Sequence, residues 1–253
     1  MKEIDKGSNI PTLEMAFISV VIPALNEQEV IARAIAAIPR ELVSEIIVVD
    51  NGSTDRTAEV ARRAGAVVVS EPVRGYGRAC RRGVDSVSKD CDIIVQMDAD
   101  LSDDPGEMSL LVGPLIEQGY DLVLGSRMLG EREEKSMTAA QVFGSRLASI
   151  MIRSFYGVRY TDMGPFRAIK KSALDNLELE EMTYGWSIEM QTKAAARGLR
   201  IKEVAVSWRN RAAGESKVAG TITGSLRAGF RIVWTILRVA ATEMRRKEIN
   251  EKN

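Results

Sequence analysis

The chain has 253 residues, enough for one large α/β domain or two small ones, and its 45% hydrophobic and 28% charged residues are ordinary for a soluble globular protein with a sizeable core. Lys plus Arg equal Asp plus Glu at 35 each, so the basic excess of a dedicated nucleic-acid binder is missing. There is no histidine: a Ser-His-Asp triad and imidazole zinc sites are excluded, any general base is first of all a carboxylate, and any metal is a hard cation held by oxygen (Mg²⁺, Mn²⁺ or Ca²⁺).

Residues 1–15, "MKEIDKGSNIPTLEM", read as a tail without the apolar core of a secretion signal. Only Cys80 and Cys91 occur, so no disulfide framework is expected and a reducing, cytoplasmic setting fits. From there β-branched runs alternate with helical patterns. "FISVVIP" (17–23), "EIIVVD" (45–50), "AVVVS" (66–70), "DIIVQMD" (92–98) and "DLVLGS" (121–126) read as strands apolar on both faces. Helical spacing falls at 27–38, 55–65, 76–88 and 106–119, with Gly65 and Gly119 placed to close two of these helices. Such alternation predicts a doubly wound, mostly parallel sheet flanked by helices.

The second half predicts a helix over 137–157, a loop turning into a short strand and helix over 161–174, a helix over 186–198 and a strand over 199–211. The tail 225–247 is an amphipathic helix. Arg227, Arg231, Trp234, Arg238 and Arg245 fall within about 60° on its wheel. Its arginines rule out an ordinary transmembrane span. Two readings stand: a helix lying on a membrane with arginines toward anionic headgroups, or a helix packed on its own domain. The expected organisation is a tail (1–15), one domain (16–224), and a C-terminal amphipathic helix and tail (225–253).

In doubly wound sheets ligands bind at the carboxyl ends of the strands. Polar clusters occupy four such places in succession: "PALNE", "DNGSTD", "EPVRGYG" and "DADLSDD". In an extended segment Asp98 and Asp100 would point the same way and could hold one cation, the rest of its shell coming from a diphosphate and water. A solvated turn is the plainer alternative. Asp103 and Asp104 precede Pro105, where acids suit the positive start of a helix. Ser53 or Thr54 could cap the second helix, while Asp50 is left as a strand-end acceptor for a nucleobase ring N–H. "RGYGRA" puts two glycines before a helix, whose backbone N–H groups could approach a phosphate.

"SVVIPALNEQEVI", "VVDNGSTDRT", "RGYGRA" and "QMDADLSDDP" together resemble the successive signatures of inverting family 2 glycosyltransferases of GT-A fold, in order over residues 17–127. "GSRM", "GPFRAIKKSAL" and "RNRAAGESKVAGT" are most similar to dolichol-phosphate mannose synthases and bacterial polyprenyl-phosphate relatives, extending the likeness to residue 224. Two departures are Ser102, where the family often has Gln, and "TDMGPFRAI" in place of the usual "D-x-x-S-G-F-R".

The resemblance implies a GT-A (Rossmann-like) fold and a metal-dependent enzyme. It would move a hexose from a GDP-mannose or UDP-glucose type donor to a polyprenyl or dolichyl phosphate, peripherally at the inner face of the cytoplasmic membrane. Pro23, Ala24, Leu25 and Glu27 would line the nucleotide pocket; Asp50 and Ser53 would meet base and ribose. Gly75 and Gly77 would admit the donor, with Ala99 beside it, and Asp98 and Asp100 would hold Mg²⁺ or Mn²⁺. Arg127, Arg146, Arg209, Arg211, Ser216 and Lys217 would surround phosphate groups of donor or acceptor. A phosphate acceptor is already ionised and needs no strong base. A hydroxyl acceptor, soluble or lipid, would need one, and Asp162 and Glu189 are the candidates. A sugar-1-phosphate nucleotidyltransferase is a further alternative, but it expects a Gly-rich basic loop where "PALNEQE" stands. A non-catalytic nucleotide-sugar binder is another.

Overall fold

The computed structural model describes residues 16–134, 136–212 and 222–250. In chain order the elements are β1 (Ile18–Ala24), α1 (Ile31–Ala36), β2 (Glu45–Asp50), α2 (Thr57–Arg63), β3 (Val67–Ser70), α3 (Tyr76–Val84) and β4 (Ile93–Gln96). There follow a 3₁₀ turn at Pro105–Glu107, α4 (Met108–Glu117), β5 (Leu122–Ser126), α5 (Ala139–Tyr156), β6 (Arg167–Lys170), α6 (Lys171–Leu177), α7 (Trp186–Ala196), β7 (Ile201–Ala205) and α8 (Ile222–Asn250).

The seven strands form one sheet in the order β3-β2-β1-β4-β6-β5-β7. Its central strands are apolar on both faces because both faces are covered. Val20 and Ile22 join a core under α1 and α4, while Val21, Ile47 and Val49 join a second core under α3, α5 and α7. Helix α3 lies almost flat on β1 and β2: a Cβ on Gly83 would stand 2.3 Å from Val21 Cγ1. The expectation of double burial fails at β3, where Val67 is 55% exposed, because that strand closes the sheet and has one neighbour.

All strand pairs are parallel except those of β6, which runs antiparallel between β4 and β5. That reversal positions the site. A parallel strand would bring its carboxyl end to the cleft, whereas β6 brings its amino end, with Arg167 opposite Gln96 at the end of β4. The loop leading into β6, with Asp162, Gly164 and Pro165, therefore joins the strand-end loops of the first half.

Helix α5 starts on a capping box between Thr138 and Gln141 and stops at Gly157 in the left-handed region. Helix α8 packs on α5 and α7, burying Ile236, Val239 and Ala240. Among the described residues no helix is long and apolar enough to cross a membrane.

Candidate active site

The first two loops are stitched into one floor. After β1, Asn26 takes a left-handed turn (φ 55°), its N–H donates to Ser53 Oγ at 3.0 Å, and its Oδ1 accepts from the Thr54 N–H at 2.8 Å. The Glu27 N–H donates to Thr57 Oγ1 at 2.8 Å. Ser53 and Thr54 are thus spent on joining loops, and Asp55, not either of them, accepts from the Thr57 N–H at the start of α2. Pro23, Ala24 and Leu25 end β1 beside Asp50, which is paired with Ala24 across the sheet and accepts from the Ser53 N–H at 3.1 Å. Asp50 stays half-buried at the cleft.

The third loop departs from expectation. The Gly75 N–H donates to Asn51 Oδ1 (2.8 Å), the Gly77 N–H to the Thr183 carbonyl (3.1 Å) and the Arg78 N–H to the Met182 carbonyl (3.0 Å). The start of α3 is closed by the chain itself and does not offer these N–H groups to a phosphate. The glycines permit that approach, since a Cβ on Gly75 or Gly77 would stand 2.5 Å from the Met182 or 2.3 Å from the Glu181 carbonyl oxygen. Asn51, buried in "DNGSTD", clamps this loop by donating to the Glu71 and Val73 carbonyls.

The acidic run is gathered by a turn, not by strand pleating. β4 stops at Gln96, and Leu101 adopts φ 61°, curling Asp98, Ala99 and Asp100 back over the strand end. Asp100 Oδ1 accepts from the Ser102 N–H at 2.9 Å. Asp104 does cap the following turn, accepting from the Gly106 N–H. Asp103 does not: it is buried, one oxygen lies 3.4 Å from the Asp98 N–H, and the other has no hydrogen-bond partner. Burial, then the Asp100 charge, pushes the Asp98 carboxyl up to about 6, and burial with Asp98 and Asp100 pushes Asp103 well above the usual carboxylate range.

Positive charge arrives from three directions. Arg211 pairs with Asp100 at 3.1 Å and Arg209 with Asp104 at 2.7 Å, as the 209–212 segment lies along the acidic turn. The Arg209 and Ala212 N–H groups donate to the Ser102 and Asp100 carbonyls. Beneath, fully buried Arg167 donates to the Gly164 and Pro165 carbonyls and to Ser187, and its charge acts on Asp98. Arg127 stacks over the Trp208 ring at 4.8 Å. Tyr76 donates to Asp98 Oδ1 at 3.4 Å. Tyr76, Arg167 and Trp208 escape a motif-based reading because their side chains meet the site only through the folded packing.

The two candidate bases are both engaged by fixed partners. Asp162 is 1% exposed and receives Arg127 Nε and Nη2 at 2.6 and 2.8 Å, Ser145 Oγ at 3.1 Å, and the N–H groups of Arg127 and Met163. Burial alone would raise its carboxyl; the Arg127 bonds and charge outweigh that and hold it below the usual range. Glu189 is fully buried, with one oxygen taken by the Glu180 and Glu181 N–H groups and the other by Lys193 (3.0 Å) and Arg238 (3.3 Å). Both are structural anchors with no lone pair left for a substrate proton. Arg127 in turn spends its fork on Asp162, so it acts on the acidic turn as a fixed charge. Arg146 stands on the exposed face of α5, away from these pairs. Ser216 and Lys217 lie outside the described residues.

The donor set suits a hard divalent cation: carboxylate oxygens that repel one another, one of them buried and unpartnered. Among the described residues no three acidic or thiol side chains form a finished cage, so the rest of any cation's shell would come from a ligand.

A Rossmann-like sheet that carries paired carboxylates at the end of its fourth strand, with an antiparallel strand slotted beside it, defines a GT-A glycosyltransferase. The model of the family described as glycosyl transferase family 2 matches residues 19–178, and the chain belongs to that family. An uncharacterised glycosyltransferase of Mycobacterium tuberculosis is 38% identical over 209 residues, covering 83% of this chain and 93% of that protein. A dolichyl-phosphate hexose transferase of Haloferax volcanii is 34% identical over 205 residues, 79% of this chain and 86% of that protein. Among solved structures, glucosyl-3-phosphoglycerate synthase from Mycobacterium tuberculosis, in complex with Mn²⁺, UDP-glucose and phosphoglyceric acid, superposes with a TM-score of 0.74 at 28% identity. That match covers 93% of this chain and 85% of the other.

Proposed function

We propose that this glycosyltransferase moves a hexose, from UDP-glucose or a close analogue, onto the phosphate of a polyprenyl or dolichyl phosphate, with inversion at the anomeric carbon. The observation that carries the acceptor class is the state of Asp162 and Glu189. The two carboxylates expected to serve a hydroxyl acceptor are saturated by fixed donors, so an acceptor that arrives already ionised suits the cleft. The dolichyl-phosphate hexose transferase relative favours a lipid phosphate. The Mn²⁺ and UDP-glucose bound in the structural relative favour that donor and a divalent cation here.

In this reading Asp98 and Asp100 hold Mg²⁺ or Mn²⁺, which supplies positive charge to the departing diphosphate. Asp50 accepts from the ring N–H of the base, with Pro23, Ala24, Leu25, Glu27 and Ser53 around the nucleoside. A phosphate oxygen of the acceptor attacks the anomeric carbon, the bond from that carbon to the diphosphate oxygen breaks, and the nucleoside diphosphate leaves with the electron pair. No proton has to move. Arg209 and Arg211 neutralise the incoming phosphate, with Ser216 and Lys217 extending the same basic segment.

The test offers UDP-glucose and GDP-mannose with Mn²⁺ or Mg²⁺ to a short-chain prenyl phosphate, the matching prenol and 3-phosphoglycerate. Transfer to the prenyl phosphate and none to the prenol is expected, with the opposite anomer in the product by NMR. A second reading, a small phosphorylated acceptor, is favoured by the phosphoglycerate-bound structural relative, and glucosylation of 3-phosphoglycerate alone would select it. No transfer from either nucleotide sugar to either phosphate overturns both.

A further inference from the structure

Two arginines of the α8 stripe are tied to the domain's own glutamates. Arg238 pairs with Glu189 and Glu180, and Arg231 with Glu181. What α8 exposes instead is an apolar ridge: Phe230 (71% exposed), Trp234 (52%) and Leu237 (46%), with the rings of Phe230 and Trp234 stacked at 6.5 Å. Beside it, α5 exposes Phe143 (68%) and Ile150 (67%). The two helices touch, Ile232 Cδ1 lying 3.2 Å from where a Cβ on Gly144 would be. So large an apolar surface on two neighbouring helices demands an occupant.

Charge selects which one. Helix α5 contains no acidic residue, and α8 contains none before Glu243. Arg146 and Arg153 stand exposed on α5, and Arg245 on α8. A second copy meeting this face about a two-fold axis would set Arg146 and Arg153 against their own copies, with no carboxylate on α5 to pair them. An anionic lipid surface satisfies both features, taking aromatic and aliphatic side chains below the headgroups and arginines among the phosphates. We propose that the exposed faces of α5 and α8 form a composite surface by which the enzyme docks on an anionic bilayer, with the apolar ridge, and not the domain-paired Arg231 and Arg238, as its buried side. The docking rests on residues outside the cleft. Its use, delivering a lipid-borne phosphate, rests on the proposed function. Helix α5 also reaches the cleft, because Ser145 on its inner face donates to Asp162.

The experiment uses the full chain, vesicles of phosphatidylcholine alone or with phosphatidylglycerol, flotation, and tryptophan emission. Trp186 and Trp208 are buried, so Trp234 is the tryptophan that can report lipid contact. Flotation with the anionic vesicles, weakened by salt and accompanied by a blue shift, is expected. The Ile150→Glu/Phe230→Glu double variant should lose about tenfold or more in vesicle affinity. It should keep the wild-type melting temperature and the wild-type turnover of a short, water-soluble prenyl phosphate. Failure of the wild type to bind anionic vesicles overturns the proposal, as does undiminished binding by the variant. So does a wild-type dimer in light scattering that the variant dissolves without any vesicle binding. Vesicle binding without turnover of any prenyl phosphate leaves the docking standing and removes the acceptor reading alone.

Discussion

The buried and half-buried carboxylates of the two halves of the chain are treated in opposite ways. In the turn after β4, Asp98 and Asp103 sit close to each other and to Asp100, short of partners and pushed toward the protonated state. In the second half Asp162 and Glu189 are at least as buried, yet every oxygen is met by arginine, lysine, hydroxyl or backbone N–H. The first group costs stability that an incoming cation would relieve; the second group contributes stability and has its oxygens already taken. Partner supply, more than burial or residue type, separates the acids proposed to act from the acids that hold the scaffold.

The largest break in that contrast comes from Asp98→Asn. Removing a charge reserved for the cation should lower transfer by about 10³-fold while leaving the melting temperature unchanged or raised. Turnover and calorimetry on the same sample check both halves of the statement. Glu189→Ala should do the reverse in kind. It strands Lys193 in a buried site and unties α8 from the 180–181 backbone, so about 3–5 kcal/mol of unfolding free energy should disappear in urea titrations.

Asp162→Asn should cost less, about 2–3 kcal/mol, since the amide keeps some of the hydrogen bonds. Its signature is the pH profile. The folded carboxyl lies below its ordinary range, so its contribution is present above about pH 4 and is lost as the pH falls through the folded value. Wild-type stability should therefore drop in acid along a limb that the variant lacks, as seen by urea midpoints measured from pH 5 down to about pH 2.5.

Sequence pattern reached different depths in the two halves. The strands from β1 to β5 were legible because apolar runs covered on both faces leave a period-free signature. Asp98 and Asp100 were legible because acids after such a run have few structural excuses. The turn that gathers them was not, since Leu101 in the left-handed region breaks the usual residue preference. Asp103 was assigned to a helix start that Asp104 fills alone. The glycines of "RGYGRA" looked like a phosphate loop, but residues 181–183, a hundred positions later, occupy the space. The same non-local packing hid the antiparallel β6 and turned Asp162 and Glu189 from candidate bases into anchors. The α8 arginines were read from a wheel that cannot show the glutamates of the 180–181 segment and α7 waiting for them.

The smallest effect is the sharpest comparison, because it sets two arginine–aspartate pairs against each other. Arg127 and Asp162 are joined by a buried fork, whereas Arg211 touches Asp100 from a position 34% exposed, through one contact at 3.1 Å. Water screens the second pair, so Arg211→Ala should change unfolding free energy by no more than about 1 kcal/mol. Its effect on the cation should go the other way. Asp100 Oδ2 loses a competing guanidinium, so Mn²⁺ should bind a few-fold more tightly, as followed by paramagnetic resonance without donor present. Transfer should still fall, because the same guanidinium is lost to the acceptor phosphate. Tighter metal with slower transfer would mark Arg211 as a group that exchanges partners during turnover. Weaker metal binding would instead make it a fixed brace for Asp100, as Arg127 is for Asp162.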